Sequence, residues 1–266
     1  MNGLQFLSLG SGSSGNCYYF GHAKRGILID AGLAARSIRN GLKAHGIDFS
    51  QLDGVVVSHD HYDHIKALGV LGENYHIPIY TTRIIHEGID RNWGVTQKLN
   101  GSRKYIEVDT PFEVGSFRLT AFHVSHDASE NVGFWVECGA RRFLVATDLG
   151  CSNPQLEAYL REAELVVLEA NYDFELLQKG KYPYPLKQRI IGDTGHLDNS
   201  ETARLLSETW NVHRSHVFLC HLSRDNNTPA LALETVRNRL IEDGHNLRQL
   251  QRLEPLCRGV HCLIDF

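Results

Sequence analysis

The stretch His59-Asp60-His61-Tyr62-Asp63-His64 constrains this chain more than any other. It sets three imidazoles within six residues, interleaved with carboxylates, directly after the apolar run Val55-Val56-Val57. Side chains alternate along an extended strand, so His59 and His61 point the same way where the strand ends and can grip one ion. Asp63 and His64 fall on the turn into Ile65-Lys66-Ala67-Leu68 and can face a second. On a chain with 15 histidines, a His-rich turn could be a solvated loop. Loops scatter their polar residues, however, whereas these form His-x-His-x-Asp-His behind a strand that reads as buried. We read the stretch as a metal site whose spacing suits two ions better than one.

Composition bounds what can surround such a site. With 42% hydrophobic and 22% charged residues, the chain has the make-up of a soluble globular protein with a sizeable core, read as one domain over residues 1–266. No apolar run is long enough to span a bilayer, and Met1-Asn2-Gly3-Leu4-Gln5 carries no basic region. We therefore expect no signal peptide, no membrane partner and a cytoplasmic location. Cys17, Cys138, Cys151, Cys220, Cys257 and Cys262 include no Cys-x-x-Cys pair and sit mostly in strand-like contexts, which suits buried thiols in a reducing compartment. A formal charge of −4 argues against a basic-coated protein but leaves room for a local basic rim around phosphates.

Along the chain, Leu4 to Leu9 reads as a strand, and Gly10-Ser11-Gly12-Ser13-Ser14-Gly15-Asn16 then imitates a dinucleotide fingerprint. That fingerprint needs a helix after its last glycine, whereas Cys17-Tyr18-Tyr19-Phe20 is β-prone and leads through a turn to the strand Ile27-Leu28-Ile29. The NAD reading is rejected. The glycines make either a plain hairpin loop or a tight loop near the metal site, where Ser13 and Ser14 could hold an anion. Asp30 reads as structural, pairing with loop amides. Leu33 to His45 is a surface helix ended by Gly46. A helix from Ile65, a strand at Ile79-Tyr80-Thr81 and a helix near Ile84 to Ile89 follow. Four strands come next, at Tyr105 to Val108, Phe117 to Val124, Val132 to Cys138 and Arg142 to Ala146. Alternating helices and strands then return, an order that suits a four-layer αβ/βα sandwich of the α/β (α+β) class.

Further ligands should appear at strand ends. His126-Asp127 follows the strand ending at Val124, Asp148 follows Phe143 to Thr147, and His221 follows His216 to Cys220. His126 is preferred over His123, which lies inside its strand. The motif His59-x-His61-x-Asp63-His64, with these three in this order, resembles the metallo-β-lactamase-fold hydrolases across nearly the whole chain. The resemblance implies that His59, His61 and His126 bind one ion and that Asp63, His64 and His221 bind the other, with Asp148 bridging. Such a nitrogen and oxygen set fits two divalent ions, of Zn, Mn or Fe.

Thr194-Gly195-His196-Leu197-Asp198-Asn199 precedes a helix from Glu201 to Trp210, so a further His precedes the helix and the ligand His221 follows it. This arrangement is similar to the phosphodiesterase branch of RNase Z-like enzymes, in which such a His aids the leaving group. Glu169, ending the strand Leu165-Val166-Val167-Leu168-Glu169, matches the residue that orients it. The span from His126 to Asp148 is too short for the long arm of many tRNA-processing RNase Z enzymes. That from Asp148 to His221 is too short for the extra domain of RNase J. The combination Gly-Ser-Gly-Ser-Ser-Gly-Asn, Leu-Glu-Ala-Asn, Leu-Lys-Gln-Arg-Ile, Gly-His-Leu and His-Leu-Ser-Arg-Asp-Asn-Asn resembles the bacterial YycJ-like (WalJ/VicX) family, described as 5′-to-3′ DNA exonucleases. Tyr172 departs from that family, which usually has His there.

Lys179 to Arg189 carries four cations, no carboxylate and two tyrosines between prolines. It is either a solvated loop or, through Lys187 and Arg189, a hold on a strand's phosphates. Arg224, Asn226 and Asn227 are candidates for a terminal phosphate. The resulting expectation is phosphodiester hydrolysis of DNA, with RNA left open. Two ions would activate a water, Asp63 would orient it, and His196, held by Glu169, would assist the departing oxygen. A small-molecule hydrolase acting on a cyclic phosphodiester, thioester or lactone is the alternative, and would not need Lys187 and Arg189. A scaffold with a vestigial site is the third reading, disfavoured by a complete ligand set. Polarity of digestion, native metal and oligomeric state stay open.

Overall fold

The structure, a computed structural model, describes residues 3–265. Met1 and Asn2, part of the N-terminal stretch considered above, and Phe266 lie outside the described residues. The chain divides into two compact units, one of Met1–Ala121, Ala128–Asn131 and Arg258–Phe266, the other of Phe122–Asp127 and Val132–Cys257.

The strands in chain order begin with β1 (Leu4–Gly10), β2 (Cys17–His22), β3 (Arg25–Ile29), β4 (Leu52–Val56) and β5 (Ile79–Thr81). Next come β6 (Arg103–Tyr105), β7 (Phe112–Val114), β8 (Phe117–His123), β9 (Val132–Cys138) and β10 (Arg141–Ala146). The last are β11 (Leu165–Glu169), β12 (His216–Cys220), β13 (Arg252–Pro255) and β14 (Cys262–Asp265).

The first unit is built on a seven-stranded sheet of order β14-β1-β2-β3-β4-β5-β6. β14, β1, β2 and β3 are antiparallel neighbours, and β3 to β6 run parallel. The parallel part is buried on both faces, so its strands read as continuous apolar runs. Ile27, Leu28, Ile29, Val55 and Val56 are all fully buried. Three helices belong here: α1 (Ala35–Ala44), α2 (Tyr62–Ile65) and α3 (Arg83–Arg91). α1 buries Ile38, Gly41 and Leu42 at helical spacing and stops before Gly46, whose φ of 74° a side chain would disfavour. β7 and β8 form an antiparallel hairpin.

The second unit repeats that plan with the order β13-β12-β11-β10-β9. Here β9 and β10 are antiparallel, whereas β10 to β13 are parallel. Its helices are α4 (Pro154–Glu162), α5 (Phe174–Lys179), α6 (Tyr184–Ile191), α7 (Asn199–Glu208) and α8 (Pro229–Glu242). Asn153, Asp198 and Thr228 each accept backbone amides at a helix start, and Pro154 and Pro229 sit where a missing N–H does no harm. Leu144, Val166, Leu168, Val217 and Leu219 form a core with Leu156, Leu160, Leu205 and Leu206 from α4 and α7. No helix of the described residues is long and apolar enough to cross a membrane.

Three expectations shift. The helix after the His motif begins a turn early, at Tyr62, so Asp63 and His64 are helical. The strand expected over Tyr105 to Val108 ends at Tyr105. The basic segment with two prolines is not a loop throughout. It closes α5 and then forms α6, with Pro183 as cap and Pro185 in the first turn, the one place in a helix that tolerates proline.

Candidate metal centre

In the first unit, β4 delivers His59 and His61 with ring centroids 4.8 Å apart, and His64 on α2 lies 4.1 Å from His59. His59 and His64 are fully buried. Asp30, which ends β3 with φ of 60°, is also fully buried and holds the group together. It accepts from Ser58 N at 2.8 Å, from Ser58 Oγ at 2.9 Å and from His64 Nδ1 at 2.7 Å. Because the Ser58 hydroxyl donates to Asp30, it accepts from His59 Nδ1 at 2.9 Å. Both imidazoles therefore carry their proton on Nδ1 and their lone pair on Nε2. Asn16 Nδ2 donates to His64 Nε2 at 2.9 Å.

The glycine loop braces this turn. Asn16 N donates to Asp63 O, and Gly32 N to Asn16 O. Gly32 passes so close that an added Cβ would lie 1.5 Å from the Asp63 carbonyl oxygen. A dinucleotide fold is excluded locally, since β2 follows the loop.

In the second unit, three strands and the loop before α7 converge on another cluster. Asp148, Glu169, His196 and His221 each bring a potential ligand atom within 4.8 Å of the others. Asp148, after β10, and His221, after β12, both take positive φ, at 56° and 51°. Left-handed backbone at non-glycine residues is strained and concentrates at functional sites. His221 Nδ1 lies 3.0 Å from Glu169 Oε1 and 3.1 Å from Asp148 Oδ1. His126 Nδ1 donates to the Gly195 carbonyl at 2.9 Å. His221 and His126 thus share the tautomer of the first unit, with the lone pair on Nε2. Metal-ligating histidines characteristically donate their other N–H to a carboxylate or carbonyl. Three of the expected histidine ligands, His64, His126 and His221, meet this test directly, and His59 meets it through the Ser58 hydroxyl that donates on to Asp30.

Glu169 is fully buried and shared. It accepts from His196 Nδ1 at 2.8 Å, from Leu149 N at 3.0 Å and from Leu197 N at 3.2 Å. Burial would raise its carboxyl, but the facing His196 and the bonds from His196 and His221 prevail and hold it at about 2. Burial would likewise lower His196, yet the Glu169 carboxylate raises it above the ordinary imidazole value. His126 goes the other way, lowered chiefly by burial. His123 is exposed and closes β8.

The residues expected to touch substrate divide. Ser13 and Ser14 are exposed, and Arg258 Nη2 donates to Ser13 Oγ at 3.1 Å. Lys187 Nζ donates to the Gln178 carbonyl, while Arg189 on α6 pairs with Asp127, the neighbour of His126. Arg224 is exposed. Asn226 and Asn227 are only 1% and 6% exposed, and Asn227 Nδ2 donates to Ala170 O, Asn171 O and Asn199 Oδ1. These two asparagines hold the loops that carry Asn171 and His221 in place. Tyr172, where the resembled family has His, is buried and bridges to Asp198 through its backbone.

Sequence reasoning gave no role to Asn171, whose Nδ2 donates to His221 O at 2.8 Å and to Glu169 Oε1 at 3.3 Å. It also missed the hold of Asp30 on His64. A carboxylate closing an apolar strand before Ala31-Gly32 was the available signal, and its partner lies 34 residues away.

Residues 25–221 match the family model described as the beta-lactamase superfamily domain. The chain is 33% identical over 247 residues to the exodeoxyribonuclease YycJ of Bacillus anthracis, covering 91% of each chain. It is 32% identical to the exodeoxyribonuclease WalJ of Streptococcus pneumoniae, covering 90% of this chain and 89% of that one. In structure it is similar to the metallo-beta-lactamase fold protein YhfI of Bacillus subtilis, with a TM-score of 0.71 at 16% identity over 99% of this chain and 100% of that one.

Proposed function

Because this chain belongs to the beta-lactamase superfamily, within it to the group of the YycJ and WalJ proteins, we propose that it is a DNA exonuclease working from the 5′ end. It has the metallo-β-lactamase fold, with two mixed sheets flanked by helices, and is a metal-dependent hydrolase. Relatives named exodeoxyribonucleases at about a third identity support DNA as the substrate. The observation that carries the phosphodiester chemistry is the His196–Glu169 pair, 2.8 Å apart, beside Asp148 and His221.

In this reading the ligand pattern of the family assigns His59, His61, Asp63 and His64 of the first unit, and His126, Asp148 and His221 of the second, as the residues that would hold divalent ions. Bound divalent ions supply Lewis acidity, which makes water a competent nucleophile near neutral pH and offsets phosphate charge. The residues do the rest. Asp63 orients the attacking water and takes its proton. His196, held by Glu169 through Nδ1, presents its other nitrogen to the departing oxygen and protonates it. Exposed Arg224 and the Ser13-Ser14 loop receive phosphates. The enzyme acts in the cytoplasm, consistent with the thiols Cys17, Cys138, Cys151 and Cys257, none of which is in a disulfide.

The test pairs elemental metal analysis with digestion of 5′-phosphorylated, end-labelled single- and double-stranded DNA and RNA in added Mn. About two ions per chain and stepwise loss from the 5′ end are expected. His196→Ala is expected to lower kcat by about 10²–10⁴ with metal content intact, the usual range for a positioned proton donor. Bound metal without cleavage of any nucleic acid would move the small-molecule hydrolase ahead. A chain that binds no metal would overturn the reading altogether.

A further inference from the structure

The loop that follows α3 leaves one large aromatic side chain in water while fixing everything around it. Trp93 is 95% exposed, whereas Val95 and Leu99 on the same loop are buried. Lys98 Nζ donates to Asp90 O at 2.8 Å and to Asn92 O at 3.1 Å. Gly94 N donates to Asn92 Oδ1 at 3.0 Å, and Asn92 Nδ2 donates to Asp60 O at 3.1 Å. Asp60 is the residue between His59 and His61, so the loop is tied to the backbone of the ligand motif itself. Trp93 directly follows Asn92, which makes that tie. By backbone dimensions its Cα lies within about 10 Å of the Asp60 carbonyl, a few base rises along a nucleic-acid strand.

A second ring stands at the same place. Tyr62, 44% exposed, follows His61 directly, and Gly94 packs so closely on it that an added Cβ would lie 2.3 Å from Tyr62 Cε2. Lys66 Nζ stands 5.6 Å from the Tyr62 ring centroid, putting a cation at the same surface. Two exposed aromatic side chains with an adjacent cation, carried on a backbone held by these bonds, meet what an unpaired strand requires. Each base offers a π-face and each phosphate a charge, and a loop whose backbone is already held loses less entropy on binding.

We infer that Trp93, with Tyr62 and Lys66 beside it, is a base-stacking subsite that holds an unpaired DNA strand next to the metal motif. The inference rests on the nuclease reading and narrows it to strands whose bases are free, because a base inside a duplex presents no face to an indole.

The metal-loaded protein is titrated with a phosphorothioate-linked oligothymidylate, which resists cleavage, and with an abasic strand of equal length, following intrinsic tryptophan fluorescence. Quenching by the oligothymidylate is expected, lost in Trp93→Ala. Affinity for it should fall about 5- to 100-fold in Trp93→Ala, from the usual range for one base stack, and recover largely in Trp93→Phe. Affinity for the abasic strand should change little. KM for single-stranded DNA should rise with Kd while kcat moves less. An enzyme that cleaves DNA while Trp93→Ala binds the oligothymidylate as tightly as wild type overturns this inference alone. So does a variant whose main change is in sedimentation, which would assign Trp93 to contact between copies. A wild-type protein that neither binds nor cleaves DNA overturns the nuclease reading as well.

Discussion

At the scale of single residues, the site depends on which nitrogen of each imidazole carries the proton. Asp30 sets this for His64 directly and for His59 through Ser58. Gly195 O does so for His126, and Glu169 for His221. Asp30→Ala would leave the Ser58 hydroxyl and His64 Nδ1 without their acceptor. Metal affinity is expected to drop about 10- to 100-fold, the usual effect of losing a partner behind a metal ligand, while the ligands themselves stay unchanged. Competition with a fluorescent chelator reads this, and an unchanged affinity would remove Asp30 from the site. The motif from His59 to His64 was legible because its histidines and aspartates are neighbours in sequence. Asp30 was legible only as a structural aspartate, since its contact with His64 spans 34 residues.

At the scale of elements, strands in both units end on residues in the left-handed region: Asp30 after β3, Asp148 after β10 and His221 after β12. Each strand runs apolar until its core contacts are exhausted, then turns sharply and aims a polar side chain. Apolar runs made the strand ends visible in advance, but the turn of the backbone was not. α4 and α7 show a different element-level device. Arg214 is 1% exposed and donates through its guanidinium to Leu160 O, Leu206 O and Thr209 O, the carbonyls near the two helix ends. Arg214→Met would strand them in a dry interior. A loss of about 3 kcal/mol is expected, from the penalty of buried unpaired groups, read as a lower urea midpoint with unchanged m.

β12 also carries a pH dependence. His216 at its start is pressed to about 4 by burial first and by nearby Arg252 second, against an ordinary 6.5. Its folded form binds fewer protons than the unfolded chain between those values, so stability is present above pH 6.5 and is lost as pH falls toward 4. His216→Asn should flatten that part of a stability profile measured by denaturant unfolding. A profile identical to wild type would relieve His216 of the effect.

At the scale of the whole molecule, the expectation of one domain over residues 1–266 becomes a calorimetric question. A metal that binds only the folded chain stabilises it by mass action, so chelation should lower Tm, and re-addition of Zn or Mn should restore it. One cooperative transition with matching calorimetric and van't Hoff enthalpies is expected of a single domain. Two transitions, with only one sensitive to chelator, would make the compact units independent. The sequence by itself determined the histidine and carboxylate pattern behind the apolar strands and the family, because these follow from apolar runs and from residues close together in the chain. The tertiary structure alone decided which partner fixes each imidazole, that Asn226 and Asn227 are buried braces, and that Trp93 stands in water beside the motif. Such contacts join residues as far apart as His126 and Gly195, 69 positions along the chain, and only the folding of the second unit brings them within a hydrogen bond's reach.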